Sequence, residues 1–496
     1  MSEPRYPAAL PSPALKQPRP RLEGVDLARW VAVTGMLLVH FSVPFIPGDT
    51  VTAWLTHQAA WGRSTILFTF LAGVSLAIIA GAREPHRGRK ANVTAGRVVV
   101  RGVVLMIIGW ILTAIVSPTE AALTVIITYY GLYFLMAVPF LRLNARWSAA
   151  AAVTAAIVGP QLLYALRRSN DEGGWFHDFT QSWNQVSPGH IFLEQGLLDL
   201  SVYGFYPALS YVAVVLAGLA VGRLDLRSHT VRLGIAALGL LLNSVAYRAS
   251  WHAWESYRLI DEMGPREEHQ GPVPTDDARW LLSSASHTAT TPEIIGGTGL
   301  GMAVLVGCLY LADHLPRLLR PLIATGTMAL TVYVAHALAM AWQANIDHTA
   351  GDLAHWLNEY MPEVFIVGSI VVGFAWHKLV GRGPVEAWVS TVSKAVVPGG
   401  GVARKARSAP GSGEPGPGGN SGPAGPNGGG PEAPGSSDGP EGGSGGPRAG
   451  GPAPTAPAAG SWAPGRPEPG ERRDGADQRA ETEREPERSS TGLRST

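Results

Sequence analysis

The run Arg21-Leu-Glu-Gly-Val-Asp26-Leu-Ala-Arg29-Trp-Val-Ala-Val-Thr-Gly-Met-Leu-Leu-Val-His40-Phe41 joins two chemistries that seldom share a helix. From Val25 to Phe45 it is apolar over the roughly 20 residues that cross a bilayer. Yet it carries an acid and a base at one end and a histidine at the other, and ionisable groups at membrane depth are costly. Asp26 and Arg29 stand three apart, on one helical face, where they can pair. His40 lies fourteen residues past Asp26, about 21 Å further along the helix. The plain structural reading is an interfacial ion pair and a histidine bonded to a neighbouring helix. The functional reading is a polar pocket reached from both faces of the membrane.

Working outward, the polar, proline-rich residues before Val25 contain no apolar core close behind Met1, so this segment is expected to be an uncleaved first span rather than a signal peptide. Nine further apolar runs follow, near Trp61–Gly81, Val98–Val116, Ala121–Leu141, Ser148–Leu166, Val202–Gly222, Val231–Ala249, Ile294–Ala312, Leu322–Trp342 and Val364–Leu379. Charged residues are only 16% of the 496, well below the roughly 25% of a soluble protein. The expected architecture is an all-α, polytopic integral membrane protein of about ten transmembrane helices. It divides into an N-terminal tail (1–24), a multi-span body (25–397) and a disordered Gly/Pro-rich tail (398–496), whose composition cannot bury a core. Arginines and lysines gather in the even-numbered connectors, as in Ala82-Arg-Glu-Pro-His-Arg-Gly-Arg-Lys90. The Pro47–Ala60 and Gly173–Leu200 connectors hold none. By the positive-inside rule, both termini are expected in the cytoplasm of a cell-membrane protein.

A net charge of +1 gives no support to nucleic-acid binding. The single cysteine, Cys308, excludes an internal disulfide and a thiolate metal cluster, and no metal centre is expected. P-loop, dinucleotide-binding, zinc-protease and nucleophile-elbow motifs are absent. Gly296-Gly-Thr-Gly-Leu-Gly301 falls within a span, where it suits close helix packing. Other polar positions stand out. His336 sits fourteen residues past Leu322, so a straight ninth span would put it at the depth of His40, but the two can meet only if their helices pack together. His57 and Arg63 precede the second span. Arg97 and Arg101, four apart, open the third; they read either as topology signals or as a clamp for a phosphorylated cytosolic donor, since arginine suits bidentate phosphate contacts. The tryptophans Trp175, Trp183, Trp251, Trp254 and Trp280 read as an interfacial belt or as a stacking surface for a flat acceptor.

The opening run resembles that of the transmembrane acyltransferase superfamily, closest to bacterial relatives of heparan-alpha-glucosaminide N-acetyltransferase. Gly62-Arg-Ser64, Leu71-Ala-Gly-Val-Ser-Leu76, Tyr129-Tyr-Gly131, Pro139-Phe-Leu141, Tyr206-Pro-Ala208, Gly222-Arg-Leu-Asp225, Ala329-Leu-Thr331, Tyr333-Val-Ala-His336 and Gly383-Pro-Val-Glu386 follow in the family's order, covering roughly Arg21 to Val396. The resemblance implies transfer of an acetyl or other acyl group from cytosolic acyl-CoA to an extracytoplasmic acceptor, a glycan or glycolipid. The family's histidine before the second span is matched by His57, one residue out of register. Related O-acyltransferases place a histidine where His40 stands. His40 therefore ranks first as catalytic base and His57 second, with His336 as a third candidate and the control for a merely structural histidine. Arg97, Arg101 and Arg29 are the expected donor-binding groups, and Asp26 and Arg63 further polar site residues. The expected partners are the bilayer and the acceptor, with no nucleic acid, and an oligomer is compatible with the sequence. The alternative is a multi-span transporter or a non-catalytic membrane protein.

Overall fold

The computed structural model describes residues 21–42, 59–119, 121, 123–264, 271–345 and 351–399, all within the unit Met1–Arg407. Among these residues all regular structure is helical. The tail from 400 onward and His57 lie outside the described residues.

Helix α1 (Glu23–Ser42) begins with acids in its first turn, which suits the positive end of the helix dipole. Its buried positions, Val25, Ala28, Ala32 and Met36, recur at intervals of three and four. It packs against α2 (Arg63–Ile79), α10 (Thr291–His314), the α11/α12 pair (Arg320–Gly326 and Ala329–Ala344) and α13 (Met361–Leu379). Gly35 meets Ser64 at one end of the α1–α2 contact, and Arg29 bonds Ser75 at the other, so the two helices run antiparallel.

Lipid tails are as apolar as leucine, so helices associate in a bilayer through close packing rather than the hydrophobic effect. The glycines show where this happens. A Cβ on Gly73 of α2 would lie 2.0 Å from the Val215 carbonyl oxygen, and one on Gly218 would lie 2.0 Å from that of Phe70. The backbone of α2 therefore rests on that of α8 (Ala208–Gly222). Gly239 of α9 (His229–Ser256) and Gly299 of α10 approach each other in the same reciprocal way, which gives the glycine-rich stretch 296–301 its packing role. Neither α2 nor α8 gathers its polar residues on one face, as suits elements enclosed by others.

Each of the ten apolar runs holds a helix, but their lengths differ. Among the described residues six helices are long and apolar enough to cross a membrane by themselves: α1, α3 (Gly88–Val116), α5 (Ala145–Asp171), α9, α10 and α13. The α11/α12 pair makes a seventh if counted as one broken span, bent by 76°. The other three, α2, α8 and α4 (Ile127–Ala137), are shorter, with 17, 15 and 11 residues. A count of ten full spans is therefore not what helix length supports. Pro139 ends α4 in a 3-10 turn, Val138–Arg142, whereas Pro160 is accommodated inside the continuous α5.

The tryptophans divide. Trp175 and Trp251 are exposed, but Trp254 and Trp280 are buried against each other in a small second core with Tyr164, Leu259 and Val273. These two are neither a belt nor an open stacking surface. The short turn around Trp280 is held by Asp277, which accepts from Arg279, and by Asp276, which accepts the Trp280 indole N–H.

Candidate active site

The two ends of α1 organise the polar groups. At the first, Asp26 is buried and paired with Arg29 (2.5 Å) and Arg21 (2.6 Å). Arg29 also donates to Ser75 Oγ at 2.7 Å. The acid and base expected to pair on one face do so, and they tie α1 to α2 besides. Gly326 makes this end compact: a Cβ there would stand 1.8 Å from the Asp26 carbonyl oxygen.

At the other end, the Nδ1 of His40 lies 3.0 Å from the Nε2 of His336. The rings are nearly coplanar, 7° apart, with centroids 5.1 Å apart, so they meet edge to edge rather than face to face. His336 Nδ1 lies 2.7 Å from the Tyr333 carbonyl oxygen. A carbonyl only accepts, so His336 Nδ1 carries a hydrogen. In the neutral ring its Nε2 is then an acceptor, and His40 Nδ1 must donate to it. Among the described residues nothing bonds His40 Nε2, and its lone pair can take a proton. His336 is fully buried, whereas His40 is only partly so.

His336 does lie at the depth of His40, but not by way of a straight ninth span. The helix breaks at Thr327 and Met328, so its depth is set by α12 and not by a straight span from Leu322. It stands seven residues, about 10 Å, past the start of α12. That start is capped by Glu386 from α14 (Pro384–Val396), whose carboxylate accepts from Leu330 N (2.8 Å), Thr331 N (3.1 Å) and Thr331 Oγ1 (2.5 Å). Sequence reading singled out Ala329-Leu-Thr331 and Gly383-Pro-Val-Glu386 as separate motifs; they are one contact. Between the two ends of α1, Trp30, Val33 and Leu37 face Thr325, Ala329 and Val332 along a tightly packed seam that leads from the Asp26 end to the histidines.

Arg97 and Arg101 sit under α14. Arg97 Nε donates to the Val397 carbonyl (3.0 Å) and Arg101 Nε to Ser393 Oγ (3.4 Å). Arg382 is their near neighbour, and among the described residues no carboxylate pairs with any of the three. Arg63 heads α2, with its guanidinium 5.3 Å from the centre of the Tyr247 ring and an N–H toward the Trp61 carbonyl. No described hydrogen bond joins it to His40.

Sequence reading missed three features. Tyr333 orients His336 through its carbonyl, and its hydroxyl accepts from Ile126 N (3.0 Å). Glu293 of α10 is buried and gathers a loop by accepting from the backbone N–H groups of His287 and Ala289, each at 2.6 Å. Thr290-x-x-Glu293 has the spacing of a capping box, the one signal that pointed to it. His287 is the third: it is buried against Phe205 and Tyr206, and burial pushes its imidazole down to about 3.

Residues 21–253 match the family model described as heparan-alpha-glucosaminide N-acetyltransferase, catalytic. The membrane body belongs to the heparan-alpha-glucosaminide N-acetyltransferase-like transmembrane acyltransferase family. Residues 275–393 match a second model, a protein of unknown function, DUF418. No curated protein matches the chain. The division has a structural consequence: His40 belongs to the acetyltransferase match and His336 to the DUF418 match, so the imidazole pair is assembled from both.

Proposed function

We propose that this protein transfers an acetyl or other acyl group from cytosolic acyl-CoA to a hydroxyl or amine acceptor on the far side of a cell membrane, with both termini cytoplasmic. The observation that carries the reading is the His40–His336 pair in a membrane acetyltransferase-like body. Arg97, Arg101 and Arg382 are cations without carboxylate partners among the described residues, and they suit the phosphates of CoA. Asp26 and Arg29, joined to each other and to Ser75 at the first end of α1, are the further polar groups assigned to the donor side.

At the histidines, the acceptor heteroatom gives its proton to His40 Nε2 and bonds to the acyl carbonyl carbon. The carbon–sulfur bond breaks, and the proton passes from His40 to the departing thiolate, leaving free CoA. His336 stabilises the protonated His40 by accepting its Nδ1–H, and the Tyr333 carbonyl keeps His336 in the tautomer that can do so. The experiment is CoA-thiol release by the purified full-length protein with acetyl-CoA and glycan or glycolipid acceptors. Release abolished by His40→Ala supports the reading.

The broken α11/α12 span favours one alternative, a transporter, because discontinuous helices line many transport sites. Acceptor-independent substrate uptake without CoA release would establish that reading instead.

A further inference from the structure

A groove of about 730 Å³ opens on the outside of α3, within the roughly 300–1,000 Å³ range of ligand pockets. Val103, Met106 and Trp110 of α3 form its wall. Its roof is Trp183 at the end of α6 (Trp175–Asn184), Val186, and Phe192 in the short helix α7 (Pro188–Leu193). The lining is almost wholly apolar, so a sugar or a charged group would find few partners there.

The roof is built and held. Trp110 Nε1 donates to the Gln195 carbonyl (3.1 Å) and Thr113 Oγ1 to Gln195 Oε1 (3.2 Å). Asp199 accepts from His190 Nδ1 (2.8 Å) and from Gly196 N (2.7 Å). The groove is also continuous with the membrane-facing surface. Val99, Val103, Ile107, Ile111 and Ile115 form an exposed apolar stripe at four-residue spacing along α3, and Val103 belongs to both stripe and groove. Val186 and Phe192 on the rim are 71% and 79% exposed.

A chain of contacts through α4 and Tyr333 links the wall to His336. Met106 packs on Gly131 of α4, and Gly109 on Thr128. Two residues before Thr128, Ile126 N donates to the Tyr333 hydroxyl, and the Tyr333 carbonyl holds His336.

We infer that this groove seats the hydrocarbon chain of a lipid-linked acceptor, which slides in from the bilayer with its head group toward the His40 end. The inference rests on the transferase reading and names its acceptor class: an amphiphile with a long apolar chain. An ordinary bilayer phospholipid is the competing occupant, and the test separates the two.

The full-length protein is placed in phosphatidylcholine nanodiscs with a hexadecyl glucoside carrying a photoactivatable diazirine in its chain. The expected result is labelling concentrated in peptides covering 103–110 and 183–197, persisting against the large excess of phosphatidylcholine. Val186→Trp and Met106→Trp should each reduce it about tenfold, since excluding even two methylenes is worth that much. Val186 is exposed, so its variant keeps the test valid if Met106→Trp fails to fold. With acetyl-CoA, CoA release should rise with the alkyl chain length of the glucoside, and Val186→Trp should flatten that rise. Labelling spread along Ile107, Ile111 and Ile115, and unchanged in both variants, would mean bulk bilayer contact and overturn the inference. Equal CoA release with glucose and with hexadecyl glucoside would overturn it while leaving the transferase reading intact. Groove labelling with no CoA release from any acceptor would overturn the acceptor role through failure of the transferase reading itself.

Discussion

His40 and His336 have different tasks in the same contact. His40 presents the free nitrogen, and His336 only receives its hydrogen. A positioned base contributes about 10²–10⁴-fold, so His40→Ala is expected to reduce CoA release by that factor while the protein remains folded. His336→Ala should cost less, because His40 keeps its lone pair and loses only its support. Turnover of the two variants, measured beside detergent-solubilised thermal stability, tests this order. His336 is thus no longer the neutral control that its sequence position made it. His287 bears on stability instead. Its ordinary value of 6.5 is pushed down to about 3, so the unfolded chain binds the proton more readily than the folded one. Stability from this group is full above 6.5 and declines as the pH falls from there toward 3, by at most about 1.4 kcal/mol per unit. Melting temperatures at pH 7.5 and 5 should show the fall, and His287→Gln should make it shallower.

Helix α12 is set in place by groups distant in the sequence. Glu386 takes three donors at its first turn, so Glu386→Ala should lose about 0.5–2 kcal/mol as a missing cap. The readout is detergent thermal stability, with Glu386→Gln retaining part of it. The close approach of α11 to α1 needs Gly326, because a methyl group there meets the backbone of α1 at Asp26. Gly326→Ala should separate α11 from α1 at a cost of about 1–3 kcal/mol, seen as reduced expression and a lowered melting temperature. Glu386 and Gly326 were legible as residues of motifs or spans, but not as partners of Thr331 and Asp26. Helical periodicity reports which face of a helix is apolar; it says nothing about which other helix lies against that face. The same limit explains Trp254 and Trp280, whose loop positions suggested an open surface and whose folded positions form a core.

For the molecule as a whole, Arg97 marks where the body ends. Its bond to the Val397 carbonyl places residue 397 in the packed unit, so a deletion should start beyond Gly399. Truncation after Gly399 is expected to leave expression and thermal stability nearly unchanged, since the Gly/Pro-rich remainder has too few large apolar residues to bury a core. A marked loss of either would show that the tail contributes to the body.

The amino-acid sequence alone established the membrane class, the helical architecture, the family and the Asp26–Arg29 pair. These depend on local chemistry: apolar runs of spanning length, charge in the connectors, and a three-residue spacing that any α-helix turns into one face. The tertiary structure alone decided that His40 meets His336, 296 residues away, and that Glu386 caps the helix which carries it. It also decided that two of the shorter apolar helices, α2 and α8, lie in backbone contact with each other. The reason is that close approach in a bilayer is governed by shape, by a glycine facing a carbonyl across two helices, and a shape match between distant segments leaves no periodic trace in either one.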